Sequence, residues 1–595
     1  MARRSSRQKR DARPGSHGIK PRGGNVSTAF FSQYRELLQA LLIVAAGLWI
    51  FWPVLHGDWL IDDDLYLTKN PLLRDFAGLW KLWFEPGSFI EYYPIEETVQ
   101  WVQWQLWHAD SFGYHVSNII LHLLGGLLVW KLLAKFGLRL AWLGGLLFVI
   151  HPAMVESVAW IAEFKNTLSL PPFLLAMCAY IDYEEHHRRD DYFHALGWFL
   201  VAMLCKISMA LFPVVILLYV WWKRDRIGWN DLKASAPFFA ISLVLGVTTV
   251  LAGDWYEHSH HLGALLVPLG GFFSRLACAG LTITFYFSKF FWPGVSLPVY
   301  PQWGIDPSSF LSFLPWPILG AVFYLFWQKR QSWGRHVLLG LGFFLINLAP
   351  FVGFIAATYM AFTWVMDHFL YIPAIGLIGL VVAALGQISS QLTPSIRSWG
   401  IGVLAIMLGF LAWESRAYAE MFVNQETLWT YTLERNPTAW VAHYNLGVVL
   451  DNDGQTSDAI KQYGESLRLN PVQSRPHNNL GTAFIQLGRM PDAIEQYEEA
   501  LKIDPEYAEA YYNLGSAFIL SNRLSEAITQ FEKALEIDPN FVNAHNNLGS
   551  TLLKLGRISE AIDQYKQALA IDPHHAEAHK NLIQAEAIES SGGMK

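Results

Sequence analysis

The stretch DPEYAEAYYNLGSAFILSNRLSEAITQFEKALEIDP, residues 504–539, decides the architecture of the C-terminal part of the chain. Its Asp504-Pro505 and Asp538-Pro539 lie 34 residues apart, and the same step relates Asn436-Pro437, Asn470-Pro471 and Asp572-Pro573. Gly447, Gly481, Gly515 and Gly549 keep that step too. Between the prolines run two apolar patterns of helical period, with small residues where the helices must cross closely and a proline that ends the second helix. One such unit cannot bury its apolar face alone, so stacked copies form an α-solenoid.

Tyr511, Leu514, Gly515, Phe518, Ala527, Phe531, Ala534 and Pro539 stand at positions that resemble the tetratricopeptide repeat. Residues 421–595 are therefore expected to hold four full repeats (about 439–573), a partial first repeat and a capping helix. Such arrays bind peptides or proteins and rarely catalyse. Asn445, Asn479, Asn513, Asn547 and Asn581 each precede the Leu of a first helix. They serve either helix packing or an acceptor-binding ladder that pairs with an extended peptide backbone.

Upstream the composition changes. Of the 595 residues 53% are hydrophobic and only 16% charged, against about 25% charged in soluble domains. The apolar excess falls between Leu37 and Trp413 as runs centred on 37–55, 116–133, 140–155, 167–181, 193–205, 211–222, 237–251, 311–326, 338–354, 372–385 and 401–413. That makes about 11 spans. The expected fold is all-α: a polytopic bundle over 35–420 followed by the solenoid.

Charge orients the bundle. Residues 1–34 begin with eight Lys/Arg against Asp11 by position 22, whereas from Asn436 onward 12 Lys/Arg face 21 Asp/Glu. Next to a first span too long for a signal h-region, the basic start reads as a cytoplasmic tail rather than a nucleic-acid contact. Phe272–Phe291 could be a twelfth span. Taken as re-entrant or interfacial, it leaves every basic cluster on one side, including Lys131/Lys135/Arg139, Lys223/Arg224 and Lys329/Arg330/Arg335. The solenoid and the Asp62–Asp64, His151–Asn166, Lys206, Asp254–His261 and Asp367–Tyr371 segments then emerge on the opposite, non-cytoplasmic face. Cys178, Cys205 and Cys278 sit in apolar runs, which excludes a disulfide frame or a zinc site.

Three adjacent carboxylates, Asp62, Asp63 and Asp64, follow the first span. They suit an exposed loop, a cation site, or a general base at the mouth of a membrane cavity. Lys165, Lys206, Arg275 and Lys289 are cations at apolar boundaries on the same side, where charge is costly. His151, Glu156 and Glu163 lack a metalloprotease spacing, and no metal or other cofactor is assigned. Trp101, Trp104 and Trp107, with Gln100, Gln103 and Gln105, suggest an amphipathic helix at the interface.

The acidic loop, the block from His151-Pro152 through Val155-Glu156-Ser157-Val158 to Asn166, and the repeat tail together resemble the transmembrane and tetratricopeptide repeat-containing protein O-mannosyltransferases of animals and their bacterial relatives. These are membrane glycosyltransferases of the GT-C type. The resemblance implies a polyprenyl-phosphate sugar as donor, transfer to protein hydroxyls, and a catalytic Asp62 or Asp63, with Asp64 an extra carboxylate. Lys165, Lys206, Arg275 and Lys289 would hold the donor phosphate. Asn166, where relatives often carry an acid, and His368-Phe369 after Asp367, where they carry Arg-Tyr, depart from that pattern. A noncatalytic scaffold for envelope or export assembly is the alternative, and a flippase or polymerase for lipid-linked sugars a third reading. The implied setting is a bacterial inner membrane with the repeats periplasmic.

Overall fold

The computed structural model describes residues 26–259, 270–355 and 357–592, and every regular element among them is a helix. Most of the basic tail, together with His260 and His261, lies outside the described residues.

Among the described residues eight helices are long and apolar enough to cross a membrane, and the bent pair Ala141–Ile150 and Pro152–Ala159 makes a ninth if it is one span. The 64° bend between that pair falls where Pro152 lacks an N–H and His151 is extended. Phe164–His186 and Arg189–Cys205 also run between the same two faces, which agrees with about 11 spans although neither is long and apolar enough by itself. One face gathers helix ends through Lys135–Asp182 (2.5 Å), Arg224–Asp231 (2.7 Å) and Trp222–His336 (3.0 Å). The other gathers loops through Asp63–Ala162, Lys206–Asn166 and Glu156–His368.

Phe272–Phe291 does not cross. Its 20 residues span about 30 Å, yet both ends are tied to the loop-rich face. Arg275 donates to the Phe354 carbonyl (2.8 Å), Trp316 donates to that of Leu276 (2.9 Å), and Lys289 lies 3.8 Å from Asp367. It is an unbroken helix lying along that face, without the reversal of a re-entrant segment.

Glycines set the tightest crossings. A Cβ on Gly145 would stand 2.5 Å from the Gly126 carbonyl, so Ser111–Lys135 and Ala141–Ile150 approach backbone to backbone. In the solenoid, a Cβ on Gly447, Gly481, Gly515 or Gly549 would stand 2.7–2.8 Å from the ring of Tyr463, Tyr497, Phe531 or Tyr565. That contact is the physical content of the 34-residue glycine period.

The solenoid consists of four antiparallel pairs: Trp440–Asn452 with Thr456–Leu469, Ser474–Gln486 with Met490–Ile503, Ala508–Leu520 with Leu524–Ile537, and Val542–Lys554 with Ile558–Ile571. Gln425–Arg435 precedes them and Ala576–Gly592 follows. The array is seated on the loop-rich face. Gln425 donates to the Trp59 carbonyl (3.2 Å), Tyr431 to that of Ser296 (2.9 Å) and Asn436 to that of Val299 (3.1 Å).

Candidate functional site

The first loop of this face turns at Ile61–Asp63, and its three carboxylates have different fates. Asp63 is fully buried; its two oxygens accept the Leu60 N–H (2.8 Å) and the Ala162 N–H (2.7 Å). Burial pushes its carboxyl up to about 8, against the pull of those two donors and with the push of Asp62 and Asp64. Both oxygens are committed to the backbone, so Asp63 braces the first loop against the Trp160–Glu163 turn. Asp62 keeps its access to solvent. The protein packed around it raises its pKa, Lys165 lowers it, and Glu163 and Glu91 raise it further. Asp64 points elsewhere, paired with Lys69 (2.9 Å) and Thr68, which hold its carboxyl below the usual range despite partial burial.

Behind Asp62 lies a buried polar chain. Lys165 donates to Glu91 (2.7 Å) and sits 5.1 Å from the centre of the Tyr66 ring. Lys206 donates to the Asn166 carbonyl oxygen (2.5 Å), and the Asn166 amide donates to Glu163 (2.5 Å). His368 bridges two acids, with Nδ1 2.9 Å from Glu156 and Nε2 3.7 Å from Glu163. Burial opposes the Glu163 charge, but His368, Lys165, Lys206 and the Asn166 amide hold its carboxyl below the usual range. Burial brings Lys206 down to about 8, Glu163 resisting and Lys165 assisting. Lys206, Asn166 and His368 line a cleft with Ser208, Asn347 and Tyr371.

The other expected residues divide between this chain and its supports. Lys289 belongs to a neighbouring group. It donates to the Val295 carbonyl (2.9 Å) and Ser296 (3.1 Å) and faces Asp367, which accepts from the Tyr300 hydroxyl (2.9 Å). The Asp367 N–H also donates to Glu156, at 3.0 Å. His151 accepts the Ala153 N–H at Nδ1 (3.2 Å), so Nε2 carries the proton given to the Phe290 carbonyl (3.0 Å). It caps the bend. Arg275 joins neither group and donates to the Phe354 carbonyl.

The helix Pro94–Trp107 corrects one expectation. It turns its polar side inward: Glu96, Glu97, Gln100 and Gln103 are buried, and Trp101, Trp104 and Trp107 are half-buried against the apolar cluster of Leu67, Leu73 and Tyr114. Burial pushes Glu96 up to about 8 and Glu97 well above the usual range, the neutral forms that such a site tolerates. Glu91, Glu96 and Glu97 were not singled out in the sequence. Two adjacent acids within an aromatic helix next to a membrane were the available signal.

In the solenoid the asparagine amides reach back one repeat. Asn513 donates to Asn478 (2.9 Å), Asn581 to Asn546 (3.0 Å), Asn547 to the Tyr512 hydroxyl (3.1 Å) and Asn479 to that of Tyr444 (3.3 Å). Asn445, in the first pair, is half-buried. The ladder stitches repeats together, and the side-chain oxygens of Asn479 and Asn547 accept in turn from Asn478 and Asn546 (3.4 Å each).

Among the described residues one group could hold a metal ion, Asp182, Glu185 and His186. It lies on the opposite face, where Lys135 occupies Asp182.

An all-α bundle of apolar helices with a polar recess on its loop-rich face, joined to a tetratricopeptide-type solenoid, defines the class: a polytopic membrane protein with a repeat domain. Residues 94–252, which include Glu163, Lys165 and Lys206, match the dolichyl-phosphate-mannose-protein mannosyltransferase family. Residues 481–521, 515–556 and 542–575 match tetratricopeptide repeat families. The chain is similar to a protein O-mannosyl-transferase of Caenorhabditis elegans, 23% identical over 466 residues, covering 72% of this chain and 62% of that one. It is also similar to the protein O-mannosyl-transferase TMTC4 of Mus musculus, at 25% over 483 residues, 68% and 63%. The match thus spans under two thirds of these relatives' length. Among solved structures, the chain is similar to the MamA protein over 26% of this chain and 83% of that chain, at 25% identity and a TM-score of 0.24. The resemblance stated from the sequence therefore holds: a mannosyltransferase-type segment is joined to tetratricopeptide repeats, and the homologues are named protein O-mannosyl-transferases.

Proposed function

We propose that the chain is a membrane glycosyltransferase that moves a mannosyl unit from a polyprenyl-phosphate donor to protein hydroxyls on the non-cytoplasmic face. The observation that carries this reading is a solvent-open carboxylate, Asp62, beside a chain of buried charges that begins at Lys165 and Glu163 and runs on through Glu163 to Lys206. In the reaction, the acceptor oxygen bonds to the anomeric carbon as the bond from that carbon to the phosphate oxygen breaks. The electron pair leaves with the polyprenyl phosphate, and the hydroxyl proton passes to Asp62. The raised pKa of Asp62 makes it the stronger base, and Lys165 and Lys206 offset the charge developing on the leaving phosphate.

The positive-inside distribution supports the sidedness, because the basic ends Lys135, Arg224 and Arg335 share one face and the recess the other. The solenoid's seat on the recess side supports capture of the acceptor there. The test is incubation of purified protein with polyprenyl-phosphate mannose and outer-face proteins, followed by intact-mass measurement. A hexose increment that requires the donor supports the reading. Absence of any increment, with donor bound, favours the scaffold.

A further inference from the structure

The face opposite the recess holds a second cavity of about 200 Å³, walled by Lys135, Lys223 and Arg335 together with Tyr219, Trp222 and Glu185. The three cations come from three crossing helices that end level with one another. Lys135 closes Ser111–Lys135, Lys223 is next to last in Phe212–Arg224, and Arg335 is second in Gly334–Leu348.

Their partners differ. Lys135 is paired with Asp182 at 2.5 Å, and the nearby Arg224 is held by Glu184 and Asp231. Lys223 Nζ stands 4.0 Å from Glu185, too far for a hydrogen bond. Lys223 Nζ and Arg335 Nε are both buried atoms without a hydrogen-bond partner. Both residues are half-buried and Lys223 also lies 5.7 Å from the centre of the Tyr219 ring, yet each keeps an inner donor atom without a hydrogen-bond partner, and both border one cavity. Trp333, two residues before Arg335, is exposed, and exposed Trp327 stacks on Trp221. Tryptophans so placed mark the headgroup level of a bilayer.

We infer that this cavity binds the phosphate of an anionic membrane phospholipid, with Lys223 and Arg335 on the phosphate oxygens and Tyr219 and Trp222 against the glycerol and upper acyl chains. Basic pockets between crossing helices on the cytoplasmic side suit such headgroups. Inorganic phosphate shares the chemistry, but the aromatic wall and the tryptophan level favour the lipid. The inference is independent of the transfer reaction.

The test uses the full chain, delipidated in detergent and titrated by native mass spectrometry with phosphatidylglycerol, phosphatidylcholine or inorganic phosphate. The wild type should take up phosphatidylglycerol in clear preference to phosphatidylcholine. Lys223→Gln with Arg335→Gln should weaken that binding by about 10-fold or more, the order expected for two cations at an anionic surface. Lys131→Gln, which removes an exposed cation from the same helix end, should leave binding unchanged, and Lys223→Arg with Arg335→Lys should retain it. Arg335→Gln alone supplies the measurement if the double variant does not fold. Equal uptake of the two lipids, wild-type affinity in the glutamine variants, or equal weakening by Lys131→Gln would overturn the inference. So would saturation by inorganic phosphate without any lipid preference.

Discussion

Replacing Asp63 by alanine would strip two buried backbone N–H groups of their acceptor at once. The Leu60 and Ala162 amides donate to its carboxyl at 2.8 and 2.7 Å, deep in the protein. Leaving each unsatisfied costs about 1–3 kcal/mol, so the two together cost about 2–6 kcal/mol. The loss is local, because Asp63 joins the first loop to the turn that carries Glu163. Hydrogen exchange should therefore quicken by at least about 30-fold at the peptides containing Leu60 and Ala162, the factor that about 2 kcal/mol of local opening gives. Protection in the solenoid should not change. Asp63→Asn keeps one acceptor and should show about half the free-energy effect. The assay is exchange mass spectrometry on the full chain in detergent, alongside transfer measurements. Unchanged exchange in Asp63→Ala would refute the brace. Unchanged exchange with abolished transfer would also move the base from Asp62 to Asp63.

The pH profile should be bell-shaped: transfer rises as Asp62 loses its proton and falls as Lys206, held at about 8, loses its charge. Lys206→Arg stays cationic, so the alkaline limb should vanish; a persisting limb near pH 8 would assign it to another group. Asn513→Ala removes one inter-repeat hydrogen bond and should lower solenoid stability by about 0.5–1.5 kcal/mol, read by thermal unfolding, with transfer to a short peptide unaffected. Removing 471–595 keeps the docked helix Gln425–Arg435 and the first repeat. It should impair transfer to a full-length protein while sparing a short synthetic acceptor, and equal damage to both would reject an acceptor-selecting array.

Much of the architecture was legible because it is periodic. The 34-residue step fixes the solenoid, since a residue with a Cβ at Gly515 would collide with Phe531. Hydropathy located the spans, but it gave no direction for Phe272–Phe291, whose place along one face rests on Arg275 and Lys289 at its two ends. At the site, the sequence could nominate Asp62, Asp63 and Asp64 but not separate them. Neighbouring residues on a tight turn point differently, and only folding brings Ala162 onto Asp63, 99 positions away. The same holds for His368, which meets Glu156 across 212 positions. For Pro94–Trp107 the pattern gave no orientation, and in the fold both its polar side and its tryptophans pack on protein. A pattern of Trp and Gln is the same whichever side is buried.

The central claim is that Asp62 takes the acceptor proton. It is tested most directly by single-turnover transfer from polyprenyl-phosphate mannose in Asp62→Asn, with donor affinity measured on the same preparation. The account predicts unchanged exchange at Leu60 and Ala162, donor bound within a few-fold of wild type, and transfer slowed by ~10²-fold or more. Transfer at the wild-type rate with saturating donor and acceptor would contradict it.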